Sequence, residues 1–224
     1  FVHMGGNSRG IFAISQLASE HGIKLIEDAA QSLGTKLWGF GDYAATSLQA
    51  VKIITSGDGG VLFCKSVQDA DRARRLRWYG HDRELRQAEG DAPLDEPGYK
   101  FHMNNIAAAI ARGNLPYLGK LAADRIAVAD EYAKCKYVVS ANVRLVIAVL
   151  PSTEARDMAR ALLKDSGYET GVHHFRNDKY KAFGGRTKMK NMDRLEDKYI
   201  LLPNHQGVNT RDARNICAIL DSVV

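Results

Sequence analysis

Leu25-Ile26-Glu27-Asp28-Ala29-Ala30-Gln31, then Ser47, then Val51-Lys52-Ile53-Ile54, then Ser56-Gly57-Asp58-Gly59-Gly60, is the stretch whose reading decides the fold of this chain. Lys24-Leu25-Ile26 is a short run that ends in two carboxylates and small residues. A buried strand of an α/β sheet delivers a polar group to its C-terminal edge in this way. Asp28 is expected at that edge. Val51, Ile53 and Ile54 surround Lys52; an ammonium among apolar neighbours loses hydration, so its pKa is expected to fall from about 10.4. A neutral lysine amine attacks carbonyl carbons. Singly, each feature has an ordinary explanation: a helix N-cap for the aspartate, a snorkelling side chain for the lysine, a hairpin turn for the glycines. Their combination points to a site.

Outward from that stretch, Phe1-Val2-His3-Met4 reads as the tail of a strand, and Ile11, Ile14, Leu17 and Ala18 recur at helical spacing before a stop at Gly22. Strand, helix, strand therefore opens the chain. Val61 to Cys64 is β-rich, and a charged helix follows from about Val67 to Leu76 whose arginines Arg72, Arg74, Arg75 and Arg77 read as a solvated face. The polar segment from Arg83 to Pro97 holds two prolines and reads as a loop. A long helix is expected from Asn104 to about Lys134, interrupted near Pro116. Val143 to Val149 reads as a strand, Ser152 caps a helix through Leu163 that Gly167 ends, and Thr210 with Asp212 caps the last helix. The expected division is 1–111 and 112–224.

With 45% hydrophobic and 25% charged residues over 224 positions, the composition is that of a soluble globular protein. The net charge of +5 is mild and dispersed, which suits anionic small ligands and argues against nucleic acid. Cys64, Cys135 and Cys217 stand far apart in no metal-ligand spacing, as free thiols of a reducing cytoplasm do. The sequence carries no transmembrane run, signal peptide, zinc cluster, phosphate loop, Rossmann fingerprint or nucleophile elbow.

The quoted stretch, with Gly34 after Gln31 and Thr55 before Ser56, closely resembles the DegT/StrS family of pyridoxal phosphate (PLP)-dependent nucleotide-sugar aminotransferases. So do Val2-His3 with the glycine pair after it, Leu76 to Arg83, Gly98 to Asn104, Val172 to Asp178 and Leu202-Pro203-Asn204-His205. The resemblance implies a PLP-dependent transferase fold of type I, with a mixed or parallel sheet and flanking helices, plus a small α+β C-terminal domain. Carried over by position, Lys52 is implied as the internal-aldimine lysine, Asp28 as the partner of the pyridine nitrogen, Gln31 as the contact to the ring's hydroxyl side and Ser47 as a phosphate ligand. Lys100 falls where many members carry an asparagine that reaches the cofactor phosphate of a neighbouring subunit; a lysine meets a phosphate as a point charge. His102 is expected either to face substrate or to be structural.

His173, His174 and Arg176 fall in the region that in the family approaches the nucleotide-sugar. Glutamate is the implied amino donor, a nucleotide-linked keto-sugar the acceptor, and a homodimer or a complementing chain the assembly. In the family a long segment precedes the point matching Phe1, and the connections between Gln31 and Ser47 and between Tyr137 and Val143 are longer. The sequence therefore reads as a truncated member of the family. The alternative expectation is a non-catalytic remnant, or one half of a split aminotransferase that binds nucleotide-sugar or a partner chain without turnover.

Overall fold

The computed structural model describes residues 1–36, 38–90, 93–172 and 176–224. It forms two compact units, Phe1–Gly119 and Lys120–Val224. In the first, strands β1 (Ile26–Asp28), β2 (Tyr43–Ser47) and β3 (Gly60–Cys64) lie in the order β1-β2-β3. β1 runs parallel to β2, with Asp28 opposite Ala45, and β2 antiparallel to β3, with Ser47 opposite Gly60. The strand tail expected at the N-terminus is one parallel bridge, Val2 to Asp28, before a 3-10 turn over Met4–Gly6. Gly60 permits the close start of β3: a Cβ there would stand 2.3 Å from the Thr46 carbonyl oxygen.

Helix α1 (Ile11–Glu20) buries Ile11 and Ala18 with Leu25, against Phe1 and Phe40. Helix α2 (Val67–Leu76) starts where the Ser66 hydroxyl accepts from the Asp69 N–H. The segment expected as a loop from Arg83 to Pro97 instead begins with helix α3 (Arg83–Glu89). Asp82 Oδ1 accepts from the Glu84 and Leu85 N–H groups there, and such a cap outweighs a polar composition. Helix α4 (Asn105–Asn114) is capped by Asn104, and the expected interruption is a 3-10 turn over Leu115–Tyr117 around Pro116. Asn114 Nδ2 donates to the Thr55 carbonyl at 2.9 Å. That bond ties the end of α4 to the connection between β2 and β3 within the first unit.

The second unit packs helices on one antiparallel sheet of order β4-β5-β6: β4 (Val138–Ala141), β5 (Val146–Val149) and β6 (Tyr199–Leu202). The strand expected over 143–149 starts at Val146, because residues before it turn: Asn142 N–H donates to the Leu145 carbonyl. The short connection between Tyr137 and Val143 holds β4. Val146 and Ala148 pair with Leu202 and Ile200, and all four are buried on one face. Over that face lie Val128 and Tyr132 of α5 (Leu118–Tyr132), Ala159 and Leu163 of α6 (Thr153–Asp165), and Ala213, Ile216 and Leu220 of α8 (Thr210–Ser222). Helix α7 is short (Lys190–Leu195). The cap of α8 is Asn209 rather than Thr210: its Oδ1 accepts from Arg211 and Asp212 N–H, and Asp212 Oδ2 accepts from the Asn209 N–H. Asn204 of the closing motif is buried, and its Nδ2 donates to the Arg125 and Asn142 carbonyls. No helix among the described residues is long and apolar enough to cross a membrane.

Candidate active site

Asp28 ends β1 and is fixed through its backbone on both sides. Its N–H donates to the Phe1 carbonyl at 2.8 Å, and its carbonyl accepts from the His3 N–H at 3.0 Å. Because strand side chains alternate, Asp28, Ala45 and Ser47 share one face of the sheet, while Glu27, Ala44 and Thr46 point to the other. The first face is open at Asp28, which is exposed, and half-open at Ser47; the second is buried. Asp28 does not cap a helix: its Oδ1 accepts from the Ala30 N–H in a local turn.

Beneath Asp28, the sequence reading missed a buried string. His3 Nδ1 lies 2.7 Å from Ser8 Oγ and His3 Nε2 lies 2.7 Å from Glu27 Oε2, with His3 and Glu27 wholly buried. Glu27 also accepts from the Gly39 N–H at 3.0 Å and the Gly41 N–H at 2.5 Å. Burial pushes its carboxyl up, but the Gly41 N–H, His3 and the Gly39 and Phe40 N–H groups outweigh burial and hold it below the usual carboxylate value. Gly41 is the residue that fits there, since a Cβ would stand 2.6 Å from the Leu25 carbonyl oxygen. A glutamate between Ile26 and Asp28 with two glycines downstream was the available signal.

Lys52 lies in the connection between β2 and β3, in a turn rather than a strand. Its N–H donates to the Gln49 carbonyl at 2.9 Å, and the connection is pinned at its base by Leu48 N–H to Gly59 and Ser56 N–H to Leu48. Ile53 and Ile54 anchor it, at 7% and 4% exposure, whereas Val51 is 57% exposed and Lys52 half-buried. The apolar surroundings expected of the lysine are thus supplied from its C-terminal side. Ser47 precedes this turn, and its Oγ accepts from the Gln49 N–H at 3.3 Å.

Gln31 Oε1 accepts from the Gly5 N–H at 2.8 Å, so the amide holds the 3-10 turn beside the Val2 bridge. Lys100 is exposed and pairs through its backbone with Trp78 in an isolated antiparallel bridge. That pairing builds an aromatic group around His102, whose ring lies 4.1 Å from Trp78 and 5.9 Å from Tyr79 between centroids. Arg83 stands over the Trp78 ring at 5.1 Å. Tyr79 has φ of 59°, a left-handed conformation that a tyrosine adopts at a cost. His102 also borders a cleft of about 1090 Å³ between β2–β3, α2 and the 99–110 segment. Asp28, Gln31, Ser47, Lys52 and Lys100 do not line it.

In the second unit Arg176 is committed to carboxylates. It binds Asp178 through Nε at 2.8 Å and Nη2 at 2.7 Å, and its Nη1 reaches Asp193 at 2.7 Å and Glu196 at 3.0 Å. Hydrogen bonds to Asp178 and Asp193 raise the guanidinium further above its ordinary value, and those to Arg176 hold Asp178 and Asp193 below theirs. Lys179 also pairs with Glu196. The partners of Arg176 are therefore internal carboxylates. His173 and His174 lie outside the described residues. Among the described residues no group of histidine, cysteine and carboxylate side chains converges as a metal site would.

Known proteins resemble this chain in sequence and fold. A UDP-4-amino-4-deoxy-L-arabinose–oxoglutarate aminotransferase of Shewanella sediminis (strain HAW-EB3) is 28% identical over 260 residues, taking in 100% of this chain and 66% of the relative. The alignment is longer than the 224 residues it takes in, so within the matched span the relative carries residues that this chain lacks. AtS13 from Actinomadura melliaura superposes with a TM-score of 0.82 at 24% identity, over 99% of this chain and 65% of that one. S. venezuelae DesV, solved in complex with a ketimine intermediate, gives a TM-score of 0.79 at 25% identity, over 99% and 64%. The chain spans just under two thirds of the length of these relatives. Residues 1–221 match the DegT/DnrJ/EryC1/StrS aminotransferase family, and the chain belongs to it.

Proposed function

We propose that this chain carries the lysine of a PLP-dependent aminotransferase that acts on a nucleotide-linked keto-sugar with glutamate as amino donor. The observation behind the reading is the shared face of Asp28 and Ser47 at the C-terminal edge of the parallel β1–β2 pair, with Lys52 in the turn leaving that edge. Open α/β sheets bind ligands at this edge. The donor set fits the cofactor: a carboxylate for a pyridinium N–H, a hydroxyl for a phosphate, a primary amine for a carbonyl.

When bound, PLP supplies the carbonyl that exchanges for an amino group and a ring that spreads the electron pair released at the substrate carbon. Lys52 would hold it through Nζ and move protons at the substrate carbon in both half-reactions. Asp28 would hold the proton on the ring nitrogen, since a neighbouring carboxylate favours the charged ring. Ser47 would orient the phosphate through Oγ, with Lys100 adding a positive point charge to a phosphate. Gln31, whose Oε1 is engaged by Gly5, would meet the hydroxyl side of the ring through Nε2. His173 and His174 are proposed for the nucleotide-sugar, while the Arg176 guanidinium is engaged by Asp178, Asp193 and Glu196. The Shewanella relative's name includes oxoglutarate, the keto acid that glutamate becomes, which supports the donor. A soluble homodimer in the cytoplasm is the proposed setting.

The test is amino transfer from glutamate to a panel of nucleotide-linked keto-sugars by the purified chain and by its Lys52→Ala and Asp28→Asn variants. Lys52→Ala should lose activity entirely and Asp28→Asn at least about 10²-fold; a Lys52→Ala protein that still transaminates would falsify the mechanism. A second reading, a chain that turns over only with a complementing chain or a remnant that binds without turnover, is favoured by β3. Val61, Leu62 and Phe63 there are 42%, 50% and 43% exposed, more apolar strand than a lone sheet usually leaves open. Activity that appears only after a second chain is added supports it; full activity of the chain alone removes it.

A further inference from the structure

Two ion pairs tie the end of α5 and the turn after it to α8 in the second unit, and they bracket two thiols. Glu131 Oε2 lies 3.5 Å from Arg214 Nη1, Lys136 Nζ lies 3.4 Å from Asp221 Oδ1, and between these ion pairs Cys135 and Cys217 pack into the same apolar core. Cys135 is part of the buried core, and Cys217 packs against that core at its half-open margin. The residues lie 82 positions apart in sequence, as 135 and 217, and their pairing is visible only in the fold. Neither the cofactor site nor the carboxylate network around Arg176 uses them.

We infer that Cys135 and Cys217 form a dithiol site that a hydroperoxide closes to an intramolecular disulfide. The neighbouring Cys217 thiol, with the Tyr137 and Val138 N–H groups, outweighs burial and lowers the Cys135 thiol, while Cys135 and burial push the Cys217 thiol up. Asp221 faces both sulfurs and Glu131 also faces Cys217, each opposing ionisation. Cys135 as thiolate attacks one peroxide oxygen: an S–O bond forms, the O–O bond breaks, and the departing hydroxide takes the Cys217 proton. The Cys217 thiolate then attacks the sulfenic sulfur, forming S–S and expelling a second hydroxide, which takes up the proton lost when Cys135 ionised. Two thiols and one hydrogen peroxide give one disulfide and two waters. Such disulfides in a reducing compartment are transient and reversible by thiols. Cys64 lies in the other unit, at the end of β3.

The experiment uses the full chain, hydrogen peroxide at equimolar amounts, denaturing alkylation and peptide mapping without reduction. The alkylatable thiols should fall from the three cysteines present to Cys64 alone, with a cross-linked peptide joining 135 to 217 that dithiothreitol releases. A Cys64→Ser variant should give the same cross-link and Cys217→Ala none; the wild-type map stands without either. Three alkylatable thiols after peroxide, a stable sulfinic acid on Cys135 instead of a cross-link, or disulfides found only between chains would overturn the inference.

Discussion

Removing the Glu27 carboxylate perturbs the platform under Asp28 without touching the proposed site itself. Glu27 is wholly buried and accepts from His3, Gly39 and Gly41 at 2.7, 3.0 and 2.5 Å. Glu27→Ala strands these three donors in a region water does not reach; each buried donor left unpaired costs about 1–3 kcal/mol. Glu27→Gln keeps the shape but turns one acceptor into a donor facing a donor, so the expected loss is about 1–3 kcal/mol. Urea unfolding followed by near-ultraviolet circular dichroism should show both losses. In thermal melts the alanine variant should unfold roughly 10 °C lower. The carboxyl sits below its unfolded value of 4.5 in the folded chain. Its contribution is therefore complete above that pH and is lost as pH falls through the lower folded value. Glu27→Gln has no charge to lose, so it should flatten that acid limb. An alanine variant within about 0.5 kcal/mol of the parent, or an unchanged acid limb in Glu27→Gln, refutes the claim that this string holds the strand end.

Three further substitutions test particular joints. Gly60→Ala drives a methyl to 2.3 Å from the Thr46 carbonyl oxygen and should cost about 1–3 kcal/mol by urea unfolding. Asn209→Ala removes the reciprocal cap of α8 and should cost about 1 kcal/mol, with Thr210→Ala close to neutral in the same assay. Tyr132→Phe deletes the hydroxyl that donates to the Pro203 carbonyl at 3.0 Å and should cost about 1–3 kcal/mol.

Periodicity and punctuation in the sequence located α1, α2, α6 and the break at Pro116, because those helices bury regular apolar stripes or carry local caps. Helix α3 escaped because its faces are polar and its cap, Asp82, lies in a segment marked by prolines further on. The Asn209 cap escaped because Thr210 is as good a candidate by residue type and only geometry separates them. At the site, the strand end with Asp28 was legible from an apolar run closing on carboxylates. The partner of Glu27 was not, since His3 lies 24 residues away and nothing local signals a contact. Lys52 was read among apolar neighbours, whereas the fold buries Ile53 and Ile54 and turns Val51 outward. Arg176 shows the same limit: an arginine followed two residues later by Asp178 looks available to a ligand until Asp193 and Glu196 arrive from a distant helix and turn.

The most direct test of the central claim is a titration of the purified chain with PLP, followed by borohydride reduction and peptide mapping, beside Lys52→Ala. The account predicts a reducible covalent adduct mapped to Lys52 and absent from the variant. An adduct spread over surface lysines and unchanged in Lys52→Ala, or no adduct at saturating cofactor, contradicts it.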